Sequence, residues 1–208
     1  LPNYDKVEMK SGELRPEYVI SEFSRQTGGD AIIVSDVGQH QMFTALHFNF
    51  TRQRGHITSG GLGTMGFALP AAIGACFAKG HPQVIAFSGD GGFQMNIQEL
   101  ATVANYNLPI VIVIINNRNL GMVKQWQDLF WDSRHASTLS PNLPDFVKIG
   151  EAYGIKGQRI EEKKDVVPAI EMALKEKGPI LLEFMIDSHA LVYPMIPAGK
   201  EFSDIIEG

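Results

Sequence analysis

Hydrophobic residues in this chain gather into short unbroken runs set between longer stretches with helical spacing. Ile110 to Ile115 (IVIVII) is a continuous β-branched run, the mark of a parallel strand covered on both faces. Gln83 to Phe87 (QVIAF), Ala31 to Val34 (AIIV), Ile155 to Ile160 and Ile180 to Ile186 read as further strands. Pro16 suits the first turn of a helix with Tyr18, Val19, Ile20 and Phe23 on its apolar face, and Gly28-Gly29 stops it. Gly38-Gln39-His40-Gln41 opens a second helix, small residues fill a third over Phe67 to Ala78, and others are expected from near Asn96, over Asp145 to Tyr153 and over Val166 to Lys177. Strands alternating with helices predict an α/β fold of three layers, a parallel sheet with helices on both faces. Phe50 to Ser59, with Arg52, Arg54 and His56, reads as loop. Residues 1–14 are polar and unpatterned, as in a linker or cut end; 15–186 form the body, and 187–208 lack periodicity and are expected to lie as an arm over the site.

The polar residues that interrupt this pattern are concentrated between Ser88 and Asn117. The strand ending at Phe87 delivers Asp90 into a turn of Gly89, Gly91 and Gly92, and the strand ending at Ile115 delivers Asn117. If those strands are parallel neighbours, both side chains reach the carboxyl edge of the sheet, where open α/β sheets bind ligands. A carboxylate and an amide carbonyl are hard oxygen donors that suit Mg²⁺ or Ca²⁺ better than zinc, and Mg²⁺ needs only a few of them when a diphosphate supplies the rest. Glycines allow close backbone approach, and the helix from Asn96 is placed to turn N–H groups toward phosphate. A Gly-Asp-Gly turn alone is usually a plain connection; followed at this distance by Asn116-Asn117 it is much more specific.

Gly61-Leu62-Gly63-Thr64-Met65-Gly66 matches the dinucleotide pattern in form, but no buried strand precedes it and no acidic residue follows about 20 positions on. After Asn117, residues Leu120, Val123, Trp126 or Gln127, and Phe130 recur at helical spacing, which by default is a stripe facing the core. Trp126, Phe130 and Trp131, followed by the proline-containing loop from Asp132 to Pro144, read better as a lid beside a site. His47, His81, His135 and His189 show no metal-ligand spacing and are assigned to surface or loops, and Glu161 to Asp165 (EEKKD) is a solvated charge run.

The 208 residues, 44% hydrophobic, are ample for one α/β core. A net charge of −5 without a basic patch argues against nucleic acid or an anionic membrane as the main partner. No apolar run approaches the roughly 20 residues that span a bilayer, and the single Cys76 suits a reducing compartment, so a cytoplasmic location is expected. The chain opens at Leu1 without an initiator Met, so any targeting segment lies outside this reading.

Gly-Asp-Gly followed at this distance by Asn-Asn resembles the diphosphate-binding motif of the thiamine-diphosphate enzymes. NNRNLGMVKQWQ, GQHQMF and TSGGLGTMGFALPAAIGA are similar to the catalytic subunit of acetohydroxyacid (acetolactate) synthase, from about Arg15 onward and over its carboxy-terminal domain only. The resemblance implies that Asp90 and Asn117 hold Mg²⁺ through side-chain oxygens and Asn119 through its carbonyl. It places Val37, Gly38, Gln39, His40, Gly91, Gly92, Leu120, Gly121, Met122 and Val123 around the cofactor. Gly63 would accept a hydrogen bond from the aminopyrimidine, Met65 would prop the bent cofactor, and Trp126 would meet the second 2-oxo acid. Position 92, where the family often has Ser, is Gly here. The implied reaction is decarboxylation of pyruvate and ligation of the two-carbon unit to a second 2-oxo acid, in branched-chain amino-acid biosynthesis. The glutamate that activates the aminopyrimidine lies in this family in an amino-terminal domain, contributed by a second subunit of a homodimer or homotetramer, so this chain alone should be inactive. FAD elsewhere in the full-length enzyme and a regulatory small subunit are further implications. A pyruvate oxidase, a 2-oxo acid decarboxylase or an isolated Mg-diphosphate module are the alternative readings.

Overall fold

In the computed structural model, which describes residues 14–78, 83–140 and 142–207, six strands form one wholly parallel sheet. They are β1 (Ile32–Ser35), β2 (His56–Thr58), β3 (Val84–Gly89), β4 (Ile110–Asn116), β5 (Lys156–Ile160) and β6 (Ile180–Met185), in the spatial order β2-β1-β3-β4-β6-β5. The eight helices of the described residues are α1 (Pro16–Thr27), α2 (Gln39–His47), α3 (Ala68–Phe77), α4 (Asp90–Met95), α5 (Leu100–Asn105), α6 (Gly121–Phe130), α7 (Phe146–Ala152) and α8 (Lys163–Lys175).

The alternation within β4 shows why three layers form. Val111, Val113 and Ile115 pack into one core with α1, α2 and α8, while Ile110, Ile112 and Ile114 pack into the other with α3, α5 and α7. Every residue of β4 is buried, so the strand carries apolar side chains on both faces as a central parallel strand must. On the first face Phe23 of α1 meets Phe87 and Phe184 edge-on, at centroid distances of 5.2 and 6.0 Å. Gly28, at φ 59, ends α1 with its N–H turned back to the carbonyls of Ser24 and Arg25.

Two elements depart from the sequence reading. Residues 50–59 contain a strand, because His56–Thr58 pairs in parallel with Ile33 to Ser35; its three residues are half-buried at the sheet edge, too short and too exposed to leave a hydrophobic signature. The helix expected from Asn96 begins six residues earlier, at Asp90. Asn96, at φ −133, separates α4 from a 3₁₀ turn (Ile97–Glu99) that leads into α5. Its amide is taken by the Gly66 carbonyl, at 2.7 Å, which ties this break to the loop before α3.

Beyond β6 the chain adds no further α-helix or sheet strand among the described residues, yet it is well anchored. Asp187 accepts a hydrogen bond from Arg15 and donates its N–H to the Leu14 carbonyl, while Ala190 and Val192 are buried. Leu14 bridges Ile186, so only residues 1–13 of the expected linker lie outside the described chain. His81 also lies outside it. No helix of the described residues is long and apolar enough to cross a membrane.

Candidate cofactor and metal site

The connection from β1 runs to β2 on one side, and the connection from β3 runs to β4 on the other. The carboxyl ends of β1 and β3 therefore flank a topological switch point, where a crevice opens in such sheets. Three segments meet there: residues 36–40 leading from β1 into α2, 89–92 where β3 passes into α4, and 117–123 leading from β4 into α6. They enclose a cavity of about 410 Å³. Its lining includes Val37, Gly38, Gln39 and His40 from the first, Asp90, Gly91 and Gly92 from the second, and Asn117, Asn119, Leu120, Gly121, Met122 and Val123 from the third. Gly63 and Met65, on the loop before α3, complete the wall. The β3–β4 register, Val84 opposite Ile110 through Gly89 opposite Ile115, brings Asp90 beside the chain that leaves β4.

The electrostatics of the cavity are those of a site short of positive charge. Asp90 is 2% exposed, and among the described residues no ion pair involves it. Burial pushes its carboxyl up to about 7, against the partial relief of backbone N–H groups at Gly91 and Asp90 itself. Burial also holds the His40 imidazole down at about 4, so the ring is neutral at neutral pH, with Nε2 buried and unpartnered. Asp36 spans two loops: Oδ1 accepts from the N–H groups of Val37 and Phe67, and buried Oδ2 has no partner. A Cβ built on Gly92 would press on that Oδ2, so a side chain at position 92 would require the Asp36 carboxylate to shift.

The two asparagines that end β4 have separate tasks. Asn116 stays in the strand, donating to Glu183 Oε1 at 2.7 Å and accepting from the Arg118 N–H at 3.0 Å. Glu183, 1% exposed, is held on its other oxygen by Arg159 at 2.8 Å. Arg118 takes a left-handed conformation, φ 57, a strain that the Asn116 contact compensates locally. The turn presents Asn117, whose Oδ1 accepts from the Asn119 N–H at 3.0 Å and whose Nδ2 donates to Gln39 Oε1 at 3.1 Å. The start of α6 lies directly on this amide pair. A Cβ on Gly121 would press on Gln39 Oε1 and Asn117 Nδ2, so any other residue there would displace this amide pair.

These residues fit a divalent cation with a diphosphate. One buried carboxylate without a counter-charge, an amide oxygen and a nearby backbone carbonyl form a hard-oxygen donor set. No cluster of three His, Cys, Asp or Glu suited to a metal occurs among the described residues, so phosphate and water oxygens would complete the shell.

Helix α6 does not carry the default core-facing stripe, in keeping with the preference for a lid over core at Trp126, Phe130 and Trp131. The stripe of Val123, Trp126 and Phe130 faces outward, with Val123 and Phe130 49% and 40% exposed, whereas Lys124 and Gln125 are buried. Trp126 lies tilted against Phe130, ring centroids 5.1 Å apart, and lines a second cavity with Val123, Gln127, Trp131 and Arg134. The inward face is polar because it meets polar groups: Lys124 pairs with Asp128 at 2.7 Å, and Gln125 meets the backbone of Val192. Burial opposes ionisation of Asp128, but hydrogen bonds from Lys124, His135 and Ser133 hold its carboxyl at about 2. His135, in the loop as expected, thereby pins residues 131–140 to α6, and Leu139 bridges Asn119 of the cavity. Of the other histidines, His189 is an exposed loop residue, while His47 ends α2 half-buried against Phe43.

The sequence reading passed over Asp36, Gln125 and Glu183. Glu183 had a signal, a lone charge inside the apolar strand ILLEFM. Gln125 had none beyond its place opposite an apolar stripe.

A switch-point cavity walled by glycine turns, with Asp90 facing the Asn117–Asn119 turn, defines the cofactor-binding domain of a diphosphate-cofactor enzyme. Residues 36–184 match the family model described as "Thiamine pyrophosphate enzyme, C-terminal TPP binding domain", and the chain belongs to that family. Among its relatives, the acetolactate synthase large subunit of Buchnera aphidicola subsp. Schizaphis graminum is 47% identical over 199 residues, covering 94% of this chain and 35% of the relative. Acetolactate synthase isozyme 2 large subunit of Escherichia coli is 44% identical over 189 residues, 91% of this chain and 34% of the relative. Acetolactate synthase of Mycobacterium bovis is 46% identical over 199 residues, 93% and 32%. The chain thus spans about a third of the length of the curated relatives it matches.

The buried charge at Asp90 yields a stability prediction with a definite sign. Its folded pKa of about 7 lies above the unfolded value, so ionised Asp90 disfavours folding above pH 7 and contributes no such cost below about pH 4. Asp90→Asn is expected to stabilise the metal-free chain at pH 8 by on the order of 1–4 kcal/mol, with little gain at pH 4. Urea midpoints of the two proteins across that range measure it; a gap that does not widen with pH contradicts the assignment.

Proposed function

We propose that the cavity holds thiamine diphosphate with Mg²⁺, and that the protein carrying this chain is an acetolactate synthase. The observation that carries the reading is the buried, uncompensated carboxylate of Asp90 set in one cavity with the Asn117–Asn119 turn. Asp90 and Asn117 would hold the cation by side-chain oxygens and Asn119 by its carbonyl, with phosphate oxygens filling the octahedron. Backbone groups of Gln39, His40, Gly91, Gly92, Leu120, Gly121 and Met122 would line the diphosphate, where Gly92 offers an N–H and no hydroxyl. Gly63 would take the aminopyrimidine through its carbonyl, and Met65, half-buried in the wall, would support the bend of the cofactor. The cofactor supplies the electron sink that lets pyruvate lose CO₂ and its two-carbon remainder join a second 2-oxo acid; the protein supplies orientation and electrostatics.

Among the described residues, the cavity lining holds no carboxylate to activate the aminopyrimidine other than Asp90, which the metal would occupy. That role is assigned to an amino-terminal domain of a second subunit, in a homodimer or homotetramer. FAD and a regulatory small subunit belong to the same reading of the longer protein, in the cytoplasm, and none is assigned to this domain.

The binding reading is tested by titrating the full chain with thiamine diphosphate in a calorimeter, with and without Mg²⁺. Heat of binding should require the metal and vanish in Asp90→Ala; unchanged affinity in that variant would falsify the assignment.

Trp126, on the exposed face of α6, offers an indole wall to the second 2-oxo acid. One methylene in an apolar pocket is worth about 1–3 kcal/mol, so Trp126→Leu in the complete enzyme should lower the preference for 2-oxobutyrate over pyruvate by roughly tenfold. A product ratio from mixed-substrate competition, recorded beside a melting curve, decides it. A lower melting temperature with the ratio unchanged rejects the substrate role.

A further inference from the structure

Beneath the cavity three buried carboxamides form a chain: Gln125, Gln39 and Asn117 are 0%, 7% and 9% exposed. We propose that Gln125 and the side chain of Gln39 are positioning residues that fix which way round the Asn117 amide sits, and so keep its oxygen turned to the metal. The inference rests on the reading of the cavity as a diphosphate and divalent-metal site.

The physical problem is that the two ends of a carboxamide are alike in size and opposite in function. A half-turn of the group replaces an acceptor by two N–H donors at almost no steric cost. A dication that meets Asn117 Nδ2 in place of Oδ1 loses a ligand and gains a repulsive dipole. Partners must therefore define the orientation, and a partner that is itself a free amide only passes the ambiguity on.

Here the ambiguity ends at backbone. Val192 donates its N–H to Gln125 Oε1 at 2.9 Å and accepts from Gln125 Nε2 at 3.0 Å, and a peptide unit cannot exchange its two ends. Gln125 Oε1 then accepts from Gln39 Nε2 at 2.7 Å, which also donates to the Ala190 carbonyl at 3.1 Å. Gln39 Oε1 is left to accept from Asn117 Nδ2 at 3.1 Å, so Asn117 Oδ1 is turned the other way. That oxygen accepts one bond, from the Asn119 N–H at 3.0 Å, and keeps a lone pair for a cation. Orientation thus passes from residues 190–192 of the carboxy-terminal segment, across α6 and α2, to the turn after β4. It also accounts for the buried polar face of α6.

The test is a cycle of Mg²⁺ affinities, measured by calorimetry on the full chain at saturating thiamine diphosphate, with a melting curve for each variant. Gln125→Met keeps the volume and removes the amide's hydrogen bonds to Val192, Gln39 and Met195, and is expected to raise the Kd for Mg²⁺ about tenfold to a hundredfold, the usual consequence of losing a partner that orients a metal ligand. In an Asn117→Asp background the same change should have no effect or improve binding, because the two oxygens of a carboxylate are equivalent. Gln39→Met, which removes the partner that Asn117 touches, should repeat the pattern if Gln125→Met does not fold. An equal loss in both backgrounds, or a lowered melting temperature with the Mg²⁺ affinity of the Asn117 protein unchanged, overturns the orienting role. A wild-type chain that binds no Mg²⁺ with the cofactor overturns instead the reading of the cavity itself.

Discussion

The parallel pairing of β3 with β4 is the constraint on which the site depends. A strand pair in this register must release its two chains side by side at the carboxyl edge, and here those chains begin with Asp90 and Asn117. The apolar residues that fix the register are buried on both faces, so a slip by one residue would exchange the two cores as well as misplace the site. The neighbouring pair, β1 with β3, adds the switch point that opens a crevice above that edge. Scaffold and site are therefore joined by backbone geometry first, and by side-chain chemistry only within the crevice.

What the crevice contains is costly to a chain without a ligand. A carboxylate buried without a counter-charge, an imidazole held neutral by burial and an unpaired oxygen of Asp36 all disfavour folding. Other buried polar groups are matched in series, as in Asn116–Glu183–Arg159 and the amides around Gln125, although Arg15 Nε and Glu17 Oε2 also lack partners. The uncompensated Asp90 carboxylate beside the unpartnered His40 Nε2 and Asp36 Oδ2 is the pattern expected of a site whose partners arrive from solution.

Much of this was legible in the sequence. IVIVII announced the central strand, the spacing between Gly-Asp-Gly and Asn-Asn put Asp90 and Asn117 at one edge, and the residues named for the cofactor all line one cavity. Features set by tertiary contacts were not legible. β2 is three half-exposed residues that become a strand only by pairing with β1, and α4 coils through two glycines that disfavour helix locally. The outward turn of Trp126 and Phe130 was expected against the default core stripe, but its cause was not legible: the inner side of α6 is occupied by the Val192 backbone rather than by a core. A residue that acts through a second residue, as Gln125 does, leaves no mark in a local pattern.

If a divalent cation and a diphosphate share the cavity between Asp90 and the turn after β4, the metal must lie within reach of phosphorus. Electron–nuclear double resonance on the full chain loaded with Mn²⁺ and thiamine diphosphate should then show phosphorus couplings to the manganese in the wild-type chain and their loss in Asp90→Ala. Manganese bound without phosphorus coupling, or coupling that survives the loss of Asp90, would contradict that shared occupancy.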